Sequence, residues 1–372
     1  MLDALRHSPL EDEHVELGAK LGPFGGWLMP IEYEGTLGEH RVVRERVGLF
    51  DLSHLGKVDV RGAGALEALQ RTLSNDLAKV AVGRAQYNLV LNDHAGVDED
   101  LIVYRLTEDR WFVVPNASNT DRVVAKLAQV VGAEAVEPHP EWCFLGVQGP
   151  RSLEAVGTLF PEAAGLPFMG CAEAAFRGVP IVLTRSGYTG ELGYELFGPA
   201  EIAWDLWDEL GDVGAAFGIE PCGLGARDVL RMEMGYPLYG QDLRPDHTPF
   251  EAGLGWAVSL DKEDLPGREI LLRQRDEGVP SHLRGLVTEE RRHIPRPRQE
   301  VLAGDEVVGR VTSGTFSPTL GTGIAMAYLA PAEVFAPGTR VQIDIRGRAA
   351  PAVVTTRSAV FMVNLSRPCQ CR

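Results

Sequence analysis

Residues 185–196, RSGYTGELGYEL, place three glycines at intervals of three residues and set tyrosines and glutamates between them. Glycine adopts backbone angles closed to other residues and lets a ligand approach the main chain, so the spacing predicts a shaped loop. It is neither the dinucleotide-binding motif nor the P-loop. A tyrosine face beside a carboxylate suits a flat ring with adjacent N–H donors. The alternative is an ordinary glycine-rich hairpin with Glu191 and Glu195 in water.

A second candidate stretch, NDHAGVDEDLIVYR at residues 92–105, carries acidic residues between two apolar strands. It fails the calcium template of the EF-hand, which needs a glycine sixth and a glutamate twelfth in the loop. Asp93 and Asp98 fit a solvated turn. Asp100 directly precedes the apolar run LIVY, so we expect it to point inward at the mouth of a sheet, where burial raises a carboxyl pKa.

The third stretch, GLGARDVLRMEMGYPLYGQDL at residues 223–243, predicts a helix with Arg227 and Arg231 one turn apart. Most arginines in such positions pair with surface acids. Arg227 follows a glycine-rich helix start, where a carboxylate-bearing ligand would meet the guanidinium and free backbone N–H groups.

Several common catalytic and metal-binding motifs are absent from the sequence. There is no G-x-S-x-G, H-E-x-x-H or C-x-x-C, so hydrolase and zinc interpretations lack support. The terminal CQC has no second Cys/His pair at zinc-site spacing, and we expect no metal. The five cysteines are scattered and odd in number, which favours reduced thiols in a reducing compartment.

The composition is typical of a globular protein of two or three domains. The chain has 372 residues, of which 45% are hydrophobic and 24% charged. No apolar run is long enough to span a bilayer, and the acidic N-terminus lacks a signal core, so we expect a cytoplasmic protein without membrane contact. The net charge of −16, without arginines interleaved with aromatics, argues against a nucleic-acid partner.

Helix-like and strand-like segments mix without regular β-α-β alternation, which favours an α+β fold over a doubly wound sheet. Residues 118–131 predict a helix with Ser118 as its N-cap. Residues 243–285 are rich in Pro, Asp and Gly and indicate a connecting region. The final third has short strands with Gly and Asp turns, typical of a small β barrel.

Taken together, the three stretches and several others resemble the aminomethyltransferase (T-protein) family of the glycine cleavage system. HVELGAKLGPFGGWLMPIEY, VDEDLIVYR, SGYTGELGYEL, GLGARDVLRMEMGYPLYGQDL, PFEAGLGWAV and GRVTSGTFSPTLG occur in the family's order. They cover roughly residues 8 to 330. Each is unremarkable alone, but the ordered set is specific.

The resemblance implies a three-domain cloverleaf with antiparallel sheets and a small C-terminal β barrel, arranged around a central channel that holds folate. The first domain is expected to be discontinuous. The implied boundaries are residues 1–61 with 145–242 for the first domain, 62–144 for the second, 243–280 for the connecting region and 281–372 for the barrel.

The implied activity is transfer of a methylene carbon to tetrahydrofolate, the co-substrate. The donor is an aminomethyl lipoyl arm carried on the H-protein, and the products are 5,10-methylenetetrahydrofolate, ammonia and dihydrolipoyl H-protein. The lipoylated H-protein is the implied partner, together with the P- and L-proteins of the same system.

The resemblance also implies roles for individual residues. Asp100 matches the catalytic aspartate, which positions the amine and stabilises positive charge on an iminium-like species. Glu195 would grip the donor edge of the pterin while Tyr188 lines its face. The remaining matches are the ligand contacts Arg227 and Tyr236 and the channel-lining Tyr87, Tyr104, Val114 and Asn116.

The sequence departs from the family pattern at several positions. Glu99 replaces the first of two paired aspartates, Ala95 replaces a glycine, and Pro115 removes a backbone donor from a strand just before Asn116. Residues 357–372 lack the family's basic-aromatic terminus, whose arginine contacts folate. Arg357 and Arg367 are the candidate replacements.

Two related functions compete with this interpretation. A non-enzymatic folate-binding paralogue assists iron–sulfur protein assembly, but its K-G-C-x-x-G-Q-E signature meets GYPLYGQDL here, without the cysteine. The folate domain of dimethylglycine or sarcosine oxidising enzymes is fused to a flavin domain, and no G-x-G-x-x-G opens this sequence.

Overall fold

A computed structural model of the chain describes residues 5–357. In this range the chain forms an eleven-stranded sheet, a three-stranded sheet and a closed six-stranded barrel. Helices and strands are mixed along the chain and most neighbouring strands are antiparallel. The predicted α+β class and the C-terminal β barrel are confirmed.

Twenty strands occur in the described residues. In chain order they are β1 (Arg6–His7), β2 (Lys20–Phe24), β3 (Trp27–Glu32), β4 (Val47–Asp51), β5 (Val58–Arg61), β6 (Arg84–Leu91), β7 (Val97–Arg105), β8 (Arg110–Pro115), β9 (Val136–Pro138), β10 (Cys143–Gln148), β11 (Gly170–Phe176), β12 (Val179–Arg185), β13 (Gly193–Gly198), β14 (Ile219–Pro221), β15 (His282–Thr288), β16 (Glu300–Ala303), β17 (Glu306–Ser317), β18 (Thr322–Leu329), β19 (Arg340–Asp344) and β20 (Ala349–Thr355).

Residues 5–357 also contain eight α-helices. They are α1 (Glu11–Glu16), α2 (Thr36–Glu45), α3 (Ala65–Thr72), α4 (Thr120–Val131), α5 (Ser152–Leu159), α6 (Ala203–Gly214), α7 (Leu224–Met234) and α8 (Arg268–Glu277).

The eleven-stranded sheet runs in the order β14-β4-β10-β13-β12-β11-β6-β7-β8-β5-β9. Its two halves meet where β11 pairs with β6 at Gly170 and Arg84. Helices α5 and α6 cover one face of the β10–β13 half, and α2 and α7 lie over the other face. Helices α3 and α4 cover the second half, where Leu69 and Leu127 pack on Val103. Three strands lie between β7 and β13 in this order, but Tyr104 of β7 still hydrogen-bonds Glu195 of β13 at 3.3 Å.

Helix α4 begins two residues later than the sequence predicted. Ser118 lies in the 3-10 turn Ala117–Asn119, so its prediction as the N-cap is wrong. The residue that precedes Thr120 is Asn119, and it makes no side-chain cap hydrogen bond. Its amide instead donates to the carboxylate of Glu99, a stronger acceptor than a neutral oxygen.

Helix α7 joins the large sheet to the barrel. It ends at Gly235 in the left-handed conformation, where the Tyr236 N–H returns to the Arg231 carbonyl at 3.0 Å and closes the last turn. Arg231 Nη2 donates to Ser313 in β17 at 2.9 Å. Glu233 accepts from Ser317 Oγ at 2.6 Å. Two buried polar side chains of one helix thus fix the orientation of the barrel.

The barrel closes in the order β15-β18-β17-β16-β19-β20. Its interior is filled by small and branched side chains, among them Leu286, Val301, Ile343 and Val354. Closure leaves no free strand edge, so every backbone group along the barrel has a neighbouring strand to pair with.

Residues 243–280, predicted to be a connecting region, contain helix α8 and pack against the sheet. Leu243, Leu254 and Leu271 form one buried cluster with Leu89 of β6 and Val97 of β7. The domain boundaries drawn from the sequence stay predictions. Across residues 5–357, none of the helices is both long enough and apolar enough to cross a membrane.

Candidate active site

Asp100 lies in β7, half-buried, and two neighbouring strands supply its hydrogen-bond donors. The Tyr87 hydroxyl in β6 donates to Oδ2 at 2.8 Å, and the Asn116 amide after β8 donates to Oδ1 at 3.0 Å. Burial raises the pKa of Asp100, and these two bonds act against the rise because they stabilise the charged form. The site therefore holds a desolvated carboxylate of fixed orientation.

Glu99 is buried behind Asp100, with 0% of its surface exposed. Its Oε1 accepts from the Asn116 backbone N–H at 2.9 Å and from the Asn116 amide at 2.6 Å. Burial raises the pKa of Glu99, and the negative charge of Asp100 adds to the rise. The sequence marked Glu99 only as a departure, and no motif indicated that it contacts the site.

Glu195 lies in β13 and is 6% exposed. The Ser186 hydroxyl donates to its Oε2 at 2.5 Å, and the Tyr104 hydroxyl does so at 3.3 Å. Burial raises the pKa of Glu195, while the Ser186 hydrogen bond and the positive charge of Arg227 oppose the rise. Glu195 is therefore a second buried carboxylate, held by hydroxyl groups.

Arg227 projects from α7 over the ring of Tyr188, with its Cζ 4.7 Å from the ring centroid. No side chain or carbonyl of residues 5–357 forms an ion pair or hydrogen bond with its guanidinium. Burial lowers the pKa of Arg227, and the charge of Glu195 opposes that shift. The guanidinium donors thus remain available to a ligand.

Arg231, one turn further along α7, is 1% exposed and structural. Its Nη1 pairs with Asp242 at 2.7 Å, and its Nη2 pairs with Asp228 at 2.8 Å. The predicted alignment of the two arginines is present, but they contribute differently. One holds the barrel, and the other faces the candidate site.

The glycines at the start of α7 do not form the open helix end that the sequence suggested. A Cβ at Gly223 would collide with the backbone of Ile31 in β3, and one at Gly225 would collide with the side chain of Thr36. The Gly223 N–H donates to Glu39 Oε2 at 2.8 Å. Protein atoms therefore pack against this end of α7 and leave no open helix terminus.

The three glycines of residues 185–196 serve packing within the protein. A Cβ on Gly187 or Gly193 would meet the side chain of Gln148, and one on Gly190 (φ +82°) would meet Met234 of α7. The glycines therefore shape this loop, as the spacing predicted, by leaving room for the side chains of Gln148 and Met234. Gln148 was missed, because a lone glutamine carries no sequence signal.

Two aromatic rings complete the group around Arg227. Tyr188 and Tyr236 stack with centroids 5.6 Å apart and planes at 23°. The Tyr188 hydroxyl donates to the Pro237 carbonyl, which holds the ring in place. Together the rings and the guanidinium present flat surfaces on which another planar group can stack.

Strand β7 runs from Asp100 to Tyr104, and Tyr104 hydrogen-bonds Glu195 of β13. Side chains alternate along a strand, so Asp100, Ile102 and Tyr104 share one face. Val114 of β8 pairs with Ile102, which places it on the same face between the other two. Four residues of strand span about 13 Å, a length that matches an extended multi-ring ligand. Tyr104 then hydrogen-bonds Glu195 at 3.3 Å.

Tyr104 lies deeper than a channel-lining residue would, and Trp256 is a neighbour of the candidate site that the sequence did not single out. Tyr104 is 1% exposed and lies behind Glu195, so it supports that carboxylate from the core. Trp256, 64% exposed, lies 5.4 Å from the ring of Tyr87. It was missed because it falls in the segment interpreted as a connector.

Arg357, the first residue of the atypical terminus, approaches the same region. Its Nη2 donates to the Gly253 carbonyl at 3.4 Å, and its Nη1 is buried with no hydrogen-bond partner in residues 5–357. Burial lowers the pKa of Arg357, and Tyr87 is the first group to oppose the shift. Arg367, the other candidate, lies outside the described residues.

Two further departures have local structural consequences. Ala95 has φ +61°, the left-handed region that a glycine occupies at less cost. Pro115 ends β8, and Asn116 still donates to Asp100 at 3.0 Å. Neither substitution separates the groups that surround Asp100.

His54 is a buried titratable residue that the sequence did not single out. It is 3% exposed, and its Nδ1 has no hydrogen-bond partner in residues 5–357. Burial lowers the pKa of His54 to about 3, with the positive charge of Arg227 as the next cause. The imidazole is therefore neutral near pH 7.

Asp59, Glu137 and His139 offer ligand atoms within 4.8 Å of one another. The Asp59 carboxylate already accepts from Arg110 Nε at 2.7 Å and lies 3.0 Å from His139 Nε2. These protein partners occupy the carboxylate, so the cluster is better described as a salt-bridge network at the edge of the sheet.

Comparison with known proteins agrees with this geometry. Two family models match: the GCVT N-terminal domain over residues 10–262 and the glycine cleavage T-protein C-terminal barrel domain over residues 282–360. Aminomethyltransferase from Frankia alni is 50% identical over 359 residues, covering 94% of this chain and 96% of the relative. Aminomethyltransferase from Mycobacterium avium is 47% identical over 356 residues, covering 94% and 95%.

A solved structure shares the whole fold. The crystal structure of glycine cleavage system aminomethyltransferase T from Bartonella henselae superimposes with a TM-score of 0.88 at 34% identity. The match covers 95% of this chain and 98% of that one. The resemblance read from the sequence is confirmed: the chain belongs to the glycine cleavage T-protein family of aminomethyltransferases and is an enzyme.

Proposed function

We propose that this enzyme transfers the methylene carbon of an aminomethyl group from the lipoyl arm of the H-protein to tetrahydrofolate. The products are 5,10-methylenetetrahydrofolate, ammonia and dihydrolipoyl H-protein. Two C–N bonds to folate form while the bonds from carbon to sulfur and to the amine nitrogen break. The two displaced N–H protons leave on the sulfur and on ammonia. Family membership supports the aminomethyl transfer.

The observation that carries the proposal is a pair of carboxylates: half-buried Asp100 at one end of the β7 face, and buried Glu195, which hydrogen-bonds Tyr104 at the other end. A pterin has adjacent N–H donors along one edge, and a carboxylate such as Glu195 accepts two parallel hydrogen bonds from them. Tyr188 and the unpaired Arg227 supply flat surfaces beside that carboxylate. These groups bind and orient the ring.

Asp100 acts at the other end, as the catalytic residue. Its negative charge stabilises the positive charge that develops on the transferred carbon, and it positions the attacking amine. Tyr87 and Asn116 hold the carboxylate in one orientation before reaction. Preorganisation of this kind avoids the reorganisation that water would need.

We assign the carboxylates of the folate glutamate to Arg357. A buried guanidinium nitrogen without a partner favours an anionic ligand, because ion pairing offsets its desolvation. Trp256, exposed beside Tyr87, borders the approach to Asp100. The lipoylated H-protein brings the substrate along this approach, and the P- and L-proteins act on the carrier before and after.

The test is an assay of ammonia and methylenetetrahydrofolate from aminomethyl-loaded H-protein, with and without tetrahydrofolate. Asp100→Asn is expected to lower turnover about 10²-fold while folate binding is retained. Asp98→Asn is the matched control, because Asp98 lies on the same strand and its carboxylate is 3.7 Å from Lys126. Folate binding without ammonia release would select a non-enzymatic role. Full turnover in Asp100→Asn would remove its catalytic assignment.

A further inference from the structure

Glu99 and Asp100 are consecutive acidic residues that face opposite sides of β7. Glu99 belongs to the fully buried side, together with Leu101 and Val103. Asp100 belongs to the side that carries the candidate site. Side chains on opposite faces of a strand do not normally meet.

One amide nevertheless contacts both carboxylates. Asn116 Nδ2 lies 2.6 Å from Glu99 Oε1 and 3.0 Å from Asp100 Oδ1. The Asn116 backbone N–H also donates to Glu99 Oε1, at 2.9 Å. Glu99 therefore holds both the backbone and the side chain of the residue that hydrogen-bonds Asp100.

The two carboxylates decide which way the amide faces. An asparagine side chain ends in an NH₂ donor and an oxygen acceptor of nearly the same shape, so either orientation fits the space. Glu99 Oε1 also accepts from the Asn116 backbone N–H, so the oxygen that faces the amide acts as an acceptor. With Glu99 on one side, the NH₂ group must face the acids, and the amide oxygen is turned away from Asp100.

Glu99 makes no ion pair within residues 5–357, and both of its carboxyl oxygens accept hydrogen bonds, one from Asn116 and one from Asn119. A glutamine of the same length has a single oxygen and would turn an NH₂ donor toward one of these two amides. Filling space therefore does not account for a side chain with two acceptor oxygens here.

We propose that Glu99 is a positioning residue for the transfer reaction: its carboxylate turns the Asn116 amide so that the NH₂ group, and not the oxygen, faces Asp100. The inference rests on the proposed function, in which Asp100 is the catalytic residue. Replacement by glutamine allows an amide–amide contact in either orientation, so an oxygen can then face the Asp100 carboxylate and repel it.

The test is a double-mutant cycle with Glu99→Gln and Asn116→Ala, scored by kcat on the pH plateau where Asp100 is ionised. Asn116→Ala is expected to lower kcat about tenfold, and Glu99→Gln about fivefold, the factor that one ordinary hydrogen bond provides. Since Glu99 acts through Asn116, Glu99→Gln is expected to lower kcat no further in the Asn116→Ala background. Additive losses, or wild-type kcat in Glu99→Gln, would overturn the proposal.

Two controls separate positioning from folding. The Kd for tetrahydrofolate, followed by tryptophan fluorescence, is expected to stay within about twofold of wild type in Glu99→Gln, because Glu195 and Arg227 are untouched. Glu134→Gln is the matched control at an exposed position of the same half of the sheet. If Asp100→Asn abolishes turnover while Glu99→Gln does not change it, this inference alone fails. If Asp100→Asn is fully active, the proposed function fails first.

Discussion

The guanidinium of Arg227 lies over the ring of Tyr188, 4.7 Å from Cζ to centroid, and no carboxylate in residues 5–357 is bonded to it. The guanidinium is desolvated and lies on an aromatic face, near Glu195 but not paired with it. It therefore forms no ion pair within these residues that would stabilise the fold. This unpaired guanidinium is the reason that we propose Arg227 as a ligand contact.

Arg227→Met is expected to weaken tetrahydrofolate binding about 10- to 100-fold, the range of a hydrogen bond to a charged group. Thermal stability without ligand is expected not to fall, because methionine removes a buried charge and keeps most of the packing. Isothermal titration and thermal unfolding measure the two effects. Arg84→Met, at an exposed arginine of β6, is the control. Loss of stability together with unchanged affinity would assign Arg227 to the fold.

The pH dependence of turnover is expected to reflect Asp100 and the two groups that donate to it. Burial raises the pKa of Asp100 to about 6, so kcat should fall below that pH as the carboxylate is protonated. The Tyr87 hydroxyl stabilises the charged form, and its removal raises the pKa further. Tyr87→Phe is therefore expected to shift the acid limb of kcat upward by about one pH unit.

Tyr194→Phe is the control for this shift, because the Tyr194 hydroxyl donates to the Ala163 carbonyl in a separate core. Its kcat profile should coincide with that of wild type. A downward or absent shift in Tyr87→Phe would mean that the acid limb belongs to another group.

Arg357→Met is expected to separate recognition of the glutamate tail from recognition of the ring. Affinity for tetrahydrofolate should fall about tenfold, whereas affinity for tetrahydropterin, which has no carboxylates, should not change. Arg348→Met, at an exposed position in the turn after β19, is the matched control. Equal losses for both ligands would place Arg357 at the ring, and no loss for either would leave it outside the site.

Helical periodicity predicted that Arg227 and Arg231 share one face of α7, and they do, but it could not assign their partners. Arg231 is structural because Asp242 returns to it from beyond the end of the helix, a contact set by the path of the chain. The three glycines of residues 185–196 show the same limit. Their spacing indicated a special backbone, and the causes, the side chains of Gln148 and Met234, come from β10 and α7.

The sequence singled out Asp100 and Glu195 as candidates because both stand in ordered motifs shared with a family, and their roles stay predictions. It did not single out Trp256, which lies in the 3-10 helix Gly255–Ala257, or show that Glu99 hydrogen-bonds Asn116. Each of these facts depends on which segments the sheet brings together. The α+β class can be predicted from local sequence patterns. The contacts of Asp100 with Tyr87 and Asn116 depend on the register of β6, β7 and β8, which local patterns do not give.

The attachment of the barrel gives the last prediction, on stability. Arg231 pairs with two aspartates at similar distances, 2.7 Å to Asp242 and 2.8 Å to Asp228, but the first is 0% exposed and the second 50%. Asp242→Ala leaves a buried guanidinium with only its solvent-exposed counterion and should cost about 3–5 kcal/mol in the free energy of unfolding. Asp228→Ala removes a screened partner and should cost less than about 1 kcal/mol. Denaturant unfolding of both variants measures the difference, and equal losses would show that solvent screening does not separate the two pairs.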